Sequence, residues 1–382
     1  MRDRLVSIAI NNFNYGRFLG DAIESALAQH YPHVEVIVVD DGSTDDSHRV
    51  IDRYRDRVVT LFKENGGMAS THNAAFERAE GDVVIFLDAD DTLLPTAAER
   101  AARAMTADVS NVHWPMWIVD AAGRRSRVEP EEPLPEGDLR PLVLERGPYS
   151  HRVAAMSGNA WSRSFLERAL PMPEEAFRTT HTDSYLSMLA PLDGEVRVVR
   201  EPQAHYRIHG RNIWAGEGVI AHARRILSTY PTLADVLVER LRREGAHPNA
   251  ERWKERNEYY QWLVRTDAAV TEAETVVPPG AAFVLVDDDE WGATSDRNLL
   301  PGRTFVPFLV RGGIYWGPPA DDEIALAALQ HARGAGADIF LFPWFTEWWL
   351  DHYRGFAEAL RTHFPNERRH EHLVSFAARG GP

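Results

Sequence analysis

The sequence contains no cysteine. This excludes a disulfide framework, a thiolate metal site and a cysteine nucleophile. No apolar run approaches the roughly 20 residues that a membrane-spanning helix needs, so no membrane span is expected. A basic excess is missing too: 57 acidic residues outnumber 42 basic ones, for a net charge of -15. Nucleic-acid binding draws on a basic footprint, so no nucleic-acid partner is expected. An anionic ligand remains allowed, because a local site can oppose the global sign. There is no fixed-period repeat and no low-complexity tract. Lysine is scarce beside arginine and alanine, the composition of a GC-rich bacterial genome. Residues 1–4 run straight into a strand-like segment, so no signal peptide is expected and a cytoplasmic location is the default. The 382 residues, 44% hydrophobic and 26% charged, suit a globular chain of two domains.

What stands out is a pair of short apolar runs that stop at acids. One is Val36-Ile37-Val38-Val39-Asp40-Asp41-Gly42-Ser43, the other Val83-Val84-Ile85-Phe86-Leu87-Asp88-Ala89-Asp90-Asp91. Each has the pattern of a buried parallel strand. Ligands of open α/β sheets sit outside the carboxyl ends of the strands, so two acid-ended strands place several carboxylates at one crevice. Such a cluster facing a ligand points to a divalent cation, because hard cations take oxygen ligands.

The first hundred residues alternate strand and helix, which predicts a parallel sheet. Strands are expected at 5–10, 34–39, 58–62 and 82–87, with helices at 18–29, 43–54 and 69–79. Ser43 with Asp46 resembles a capping box for the second helix. Residues 113–119 read as a strand, 129–140 as a Pro/Glu-rich loop, 162–170 and 182–190 as helices, and 196–199 and 205–208 as short strands. Residues 217–272 read as mainly helical, broken near Gly245 to Pro248. After Pro278-Pro279-Gly280 a smaller α/β set follows: strands at 282–287, 338–342 and 372–376, helices at 322–334 and 348–364. The expected domains are 1–215, a helical connector 216–274, and a small α/β domain 275–382.

Five segments together resemble a family 2 glycosyltransferase with the GT-A fold: residues 7–15, Val39-Asp40-Asp41-Gly42-Ser43, Asn65-Gly66-Gly67, His72-Asn73, and Phe86 to Asp91. The resemblance covers about residues 5–215. It implies a mostly parallel nucleotide-binding sheet flanked by helices. It also implies transfer, with inversion, of a sugar from a nucleoside diphosphate sugar, a UDP-sugar by family habit, to a hydroxyl on a glycan, lipid-linked or small-molecule acceptor. Surface-polysaccharide assembly is the setting it suggests. Two positions depart from the family pattern: Asn11 stands where proline is usual and His72 where arginine is common.

Carried over residue by residue, the resemblance assigns roles. Asp88-Ala89-Asp90 resembles the DXD motif, giving Asp90 a Mn²⁺ or Mg²⁺ ion and Asp88 a donor contact. Asp41, with Asp40, would accept from the base, and Asn12, Asn65 and Asn73 would line the nucleotide. Asp183 lies where the family places the carboxylate that takes the acceptor proton; the competing role is an N-cap. In His205-Tyr206-Arg207-Ile208-His209, His209 would complete the ion site, and Arg207 or Arg211 would meet the diphosphate. Gly158 would admit the acceptor, and Trp161 would stack on a sugar or fill the core. The C-terminal tryptophans read as core ahead of sugar platform, and Asp287-Asp288-Asp289 forms a second acidic strand end. Two other functions compete. A nucleotidyltransferase would want a Gly-rich basic loop where Asn11 to Gly16 stands; a non-catalytic glycan-binding protein would not need Asp88, Asp90 and Asp183 together. The sequence is compatible with an oligomer.

Overall fold

Alternating apolar strands and amphipathic helices build a layered α/β structure, seen in a computed structural model that describes residues 4–179, 181–210, 212, 218–292, 299–311 and 314–378. The chain divides into two compact units, Met1–Ala215 with Thr229–Asn257, and Gly216–Ser228 with Glu258–Pro382.

In chain order the first unit begins β1 (Val6–Asn12), α1 (Gly16–Leu27), β2 (Val34–Asp40), α2 (Ser47–Asp52), β3 (Val59–Phe62), α3 (Met68–Arg78) and β4 (Val83–Asp88). It continues with β5 (Thr92–Leu93), α4 (Ala97–Ala104), β6 (Val109–His113), β7 (Met116–Asp120), β8 (Arg125–Glu129) and α5 (Arg140–Arg146). Then come β9 (Asn159–Ser162), α6 (Arg163–Ala169), α7 (Thr182–Leu189), β10 (Glu195–Val198) and β11 (Ala204–Ile208). A seven-stranded sheet runs β10-β6-β9-β4-β1-β2-β3. Neighbours β4, β1, β2 and β3 are parallel, and β9 alone runs against β4 and β6. Register sets Asn11 beside Asp88 and Asn12 beside Asp40, so the polar strand ends share one edge. Ile8, Ile10, Val36, Val38, Ile85 and Leu87 are buried, and α1 covers them with Leu19, Ala22, Ile23 and Ala26, spaced three or four residues apart. A second sheet, β5-β11-β7-β8, holds the segment from 204 to 208 next to the turn after β4.

Two local expectations change. The strand expected over 113–119 is two strands in different sheets, because Pro115 has no N–H to give a ladder. Ser43 does not cap a helix: its Oγ accepts from Asn14 N at 2.8 Å and Asn12 Nδ2 at 3.1 Å, tying the first turn to the second, and α2 starts only at Ser47.

Helices α8 (Val219–Arg243), α9 (Ala250–Arg256) and α10 (Glu258–Val276) fill the stretch expected as a connector. They do not form a separate piece, since residues 229–257 belong to the first unit and 258–274 to the second. Burial explains the first assignment. Tyr230, Leu233, Leu237 and Leu241 are buried, and the Trp253 indole donates to Leu144 O at 2.9 Å.

The second unit continues with β12 (Ala282–Leu285), β13 (Thr304–Phe305), β14 (Val310–Arg311), β15 (Ile314–Tyr315), α11 (Asp322–Gly334) and β16 (Ile339–Pro343). It closes with α12 (Trp349–His352), α13 (Arg354–His363), β17 (Asn366–Arg369) and β18 (Leu373–Ala377). Its five-stranded sheet runs β13-β12-β16-β18-β17. The helix expected over 348–364 is two, because the Asp322 carboxylate accepts from Gly355 N and Phe356 N and so opens α13 afresh. Trp291 and Trp349 are core, as expected, whereas Trp316 and Trp348 are about 40% exposed, at 38% and 41%.

Candidate active site

The carboxyl edge of the parallel strands opens into a cleft of about 280 Å³ in the first unit. The ends of β1 and β4, the loop before α3 and the start of α7 supply its walls. Asn12, Asp41, Asn65, Asp88, Asp90 and Asp183, all expected at the site, line it. Asp40, Asn73, Arg207 and His209 do not.

After β4 the chain turns tightly, with Asp91 N donating to Asp88 O at 3.0 Å and Ala89 N to Asn11 O at 3.2 Å. Ala89 is thereby buried, and Asp88 and Asp90 face the cleft. Asp91 turns inward and is buried, where its Oδ1 accepts from Arg207 N at 2.9 Å and its carboxyl meets the Ser157 hydroxyl. Burial, then the charges of Asp90 and Asp183, push the Asp88 carboxyl up to about 8. Burial raises Asp90 as well, against the pull of His209 and Arg207, and burial with Asp90 and Asp88 holds Asp91 well above the carboxylate range. Tyr206, also in the cleft, is pushed up by burial and by these same acids.

Asp90 Oδ2 lies 3.0 Å from His209 Nε2. His209 is held by stacking on Phe18, 4.7 Å between ring centres, and edge-on to Tyr15 at 5.5 Å. Carboxylate oxygens with one imidazole suit Mn²⁺ or Mg²⁺, so the donor set of Asp90 and His209 fits such an ion, with the Asp88 carboxyl close enough to feel its charge. Among the described residues, the one group of three ligand-type side chains already within 4.8 Å of one another is elsewhere, Glu272, Glu371 and His372 in the second unit. There His372 N and Nδ1 both engage the Glu272 carboxylate, at 3.1 and 3.0 Å, an ordinary ion pair at a strand start.

A raised acid loses its stabilising proton as pH climbs. The folded, ion-free chain keeps the Asp88 proton that the unfolded chain releases near pH 4, so this contribution fades as pH rises toward about 8. A divalent cation held at neighbouring Asp90 favours the ionised Asp88, so its binding strengthens over the same window. The melting temperature of the ion-free protein is therefore expected to fall between pH 6 and pH 8, and the rise on adding Mn²⁺ to be larger at pH 8. An ion-induced rise that shrinks or stays level with pH contradicts the coupling.

The remaining expected contacts are corrected by their partners. Asp40 is fully buried and accepts from Asn12 Nδ2 (2.7 Å), Ser43 N (2.9 Å) and His48 Nε2 (3.1 Å), so it builds the turn without reaching the cleft. Asp41 lines the cleft but its carboxylate already takes Lys63 Nζ, Asn65 Nδ2, Gly66 N and Gly67 N at 2.6–3.1 Å. Its role is to hold the loop before α3, where Gly67, at φ 87, passes so near Arg178 O that a Cβ would lie 2.2 Å away. Asn73 clamps α3 to the loop after α6, accepting from Met172 N at 2.8 Å and donating to Met172 O at 3.0 Å. Arg207 donates to Asp90 O, Ala121 O and Asp21 Oδ2 and stacks on Phe18, so it is buried behind the turn and does not line the cleft where a diphosphate would sit. Arg211 lies outside the described residues.

Asp183 is not the N-cap. His181 occupies that place with φ 60, and Asp183 stands in the first turn of α7, where a negative charge suits the helix dipole. Trp161 is fully buried against Phe165, and Gly158 is needed for packing, since a Cβ there would meet Ala154 and Trp114 at about 3 Å, 2.9 and 3.0 Å. Neither offers an acceptor surface. In the second unit Asp287 caps its own turn through Trp291 N, and Asp288 accepts from Tyr315 OH and Trp349 Nε1.

Sequence reasoning missed Arg178. Among the described residues it is the one arginine or lysine lining the cleft, tethered by Nη2 to Asn65 O and Oδ1 at 3.2 Å. Nothing in its local sequence marks it; the loop between α6 and α7 brings it there.

The family model described as glycosyl transferase family 2 matches residues 7–163. A protein of Nostoc sp. described as an uncharacterized glycosyltransferase is 34% identical over 213 residues, 54% of this chain and 66% of its own length. A Bacillus subtilis protein described as the putative teichuronic acid biosynthesis glycosyltransferase TuaG is 41% identical over 91 residues, 23% of this chain and 36% of its own length. The matched segments thus span less than two thirds of these relatives. The crystal structure of S. aureus TarS 1-349 in complex with UDP-GlcNAc covers 99% of this chain and 98% of its own at 16% identity, with a TM-score of 0.51. That likeness shows the fold.

Proposed function

Residues 7–163 belong to glycosyl transferase family 2, and from that premise we propose that the chain moves a sugar from a UDP-sugar to a hydroxyl acceptor, with inversion and with Mn²⁺ or Mg²⁺. One observation carries this: a single cleft at the carboxyl edge of the sheet gathers Asp88, Asp90 and Asp183 with buried amide groups and Arg178.

Asn12 would meet the nucleoside. Its Nδ2 is spent on Asp40 and Ser43, while its buried Oδ1 has no partner. Asp88 would contact the ribose, and Arg178, the cation of the cleft, the diphosphate. Asp90 and His209 would hold the ion, with Arg207 and Asn212 fixing the turn behind Asp90. When bound, the ion supplies positive charge opposite the leaving diphosphate. Asp183 would take the proton from the acceptor hydroxyl as its oxygen bonds to the anomeric carbon; the bond to the diphosphate oxygen breaks on the opposite face and its electron pair leaves with the nucleotide. All these residues belong to the first unit. Residues from 275 onward would form an accessory domain. UDP is the nucleotide to test first because TarS was solved with UDP-GlcNAc. The name of TuaG suggests surface polysaccharide as the setting. No helix among the described residues is long and apolar enough to cross a membrane.

Incubation with UDP-sugars is expected to release UDP slowly, in a reaction that needs Mn²⁺ and stops with a chelator. Pyrophosphate release from UTP and a sugar 1-phosphate, with UDP-sugars inert, would instead indicate a nucleotidyltransferase.

A further inference from the structure

Asn11 and His72, the two departures from the family pattern, lie 61 residues apart in sequence yet touch in the cleft, with Asn11 Nδ2 2.8 Å from His72 Nε2. Asn11 sits on β1 opposite Val39 of β2 and Asp88 of β4. It therefore lies between the turn after β2 and the acids after β4. His72 is fully buried, edge-on to Phe86 at 4.6 Å, with Nδ1 2.7 Å from Met68 O.

These partners fix the hydrogens. A backbone carbonyl only accepts, so Nδ1 of His72 carries a proton. No carboxylate pairs with the ring among the described residues, and burial lowers its pKa to about 4. The ring is neutral at physiological pH and has one N–H. Its Nε2 is then an acceptor, and Asn11 must donate to it. The Asn11 amide is thereby oriented: NH₂ toward His72, Oδ1 away. That oxygen is buried and has no partner in the protein. A buried acceptor left empty is costly and calls for a donor.

We propose that Asn11 is a specificity-determining residue for the nucleoside half of the donor, its Oδ1 accepting one hydrogen bond from a base N–H or a ribose O–H, with His72 as the positioning residue. This rests on the donor role of the cleft proposed above. The two substitutions act as a unit. An arginine at position 72 can only donate, so it would draw Oδ1 toward itself and turn the NH₂ group to the ligand, reversing what the cleft accepts.

The test is calorimetry of the full chain with Mn²⁺ and four ligands: UDP, 2′-deoxy-UDP, 3′-deoxy-UDP and N3-methyl-UDP. Asn11→Ala is expected to weaken UDP about tenfold, the ratio that goes with one hydrogen bond. It should cost nothing further for the one analogue that lacks the group Asn11 meets, which separates base from ribose. His72→Leu should weaken UDP by less, and the double variant should match Asn11→Ala, because His72 acts only through Asn11. Binding of UDP by Asn11→Ala within twofold of wild type, or an equal loss for all four ligands, overturns the proposal while the donor role stands. A wild type that binds no UDP overturns both.

Discussion

Replacing Asp183 with asparagine should lower sugar transfer by about 10²–10⁴-fold, the range lost with a positioned general base, while leaving the fold and donor binding in place. The side chain is half-buried in the first turn of α7, and its Oδ1 accepts from Ser184 N at 2.7 Å, a bond an asparagine carbonyl can keep. The lost helix-dipole attraction is worth about 0.3–1 kcal/mol. Stability should thus change little, and the loss should fall on kcat, with KM for the donor near wild type. Turnover within tenfold of wild type would remove Asp183 from the chemistry.

Asp90→Ala should abolish the part of UDP binding that depends on the metal. Losing even a partner behind a metal ligand costs roughly 10–100-fold in metal affinity, and Asp90 is the acid that contacts His209 directly. In the ion-free variant, loss of the buried Asp90–His209 contact and relief of the acid cluster oppose each other, so stability should change little. The substitution removes one of the charges that push Asp88 and Asp91 upward, so the ion-free cluster is relieved as its ion is lost. UDP affinity equal to wild type with Mn²⁺ present, measured by calorimetry, would place the ion elsewhere.

The strand ends were legible because their signal is local. Apolar runs that stop at acids place β2 and β4 within a residue or two, and with them the fold class and the cleft edge, whereas the helix after β2 starts four residues later than expected and α4 had no local signal. Asp88, Asp90 and Asp183 meet because separate local signals converge on one sheet edge. What was not legible is which polar groups are already spent. Arg207 gives its guanidinium to Asp21, 186 residues away, and Asn73 binds Met172, 99 residues away. Asp41 is occupied by a loop that follows it by more than 20 residues. A sequence motif names a carboxylate or an arginine but not its partners, and the partners decide whether it faces a ligand or braces a turn. Arg178 was invisible for the same reason, since only the path of a loop brings it to the cleft. The helices over 216–274 were seen as helices, but their division between two units depends on apolar faces that find distant partners.

The most direct measurement is calorimetry of UDP binding to the intact wild-type chain with and without Mn²⁺. Burial and mutual repulsion raise the carboxyls of Asp88, Asp90 and Asp91, so the ion-free cleft offers a diphosphate no positive charge from this side and its ionised acids repel it. The account predicts one site per chain, weak without the ion and at least about tenfold tighter with it, a difference of about 1.4 kcal/mol. UDP affinity that is the same in Mn²⁺ and in chelator, or no UDP binding under either condition, would contradict it.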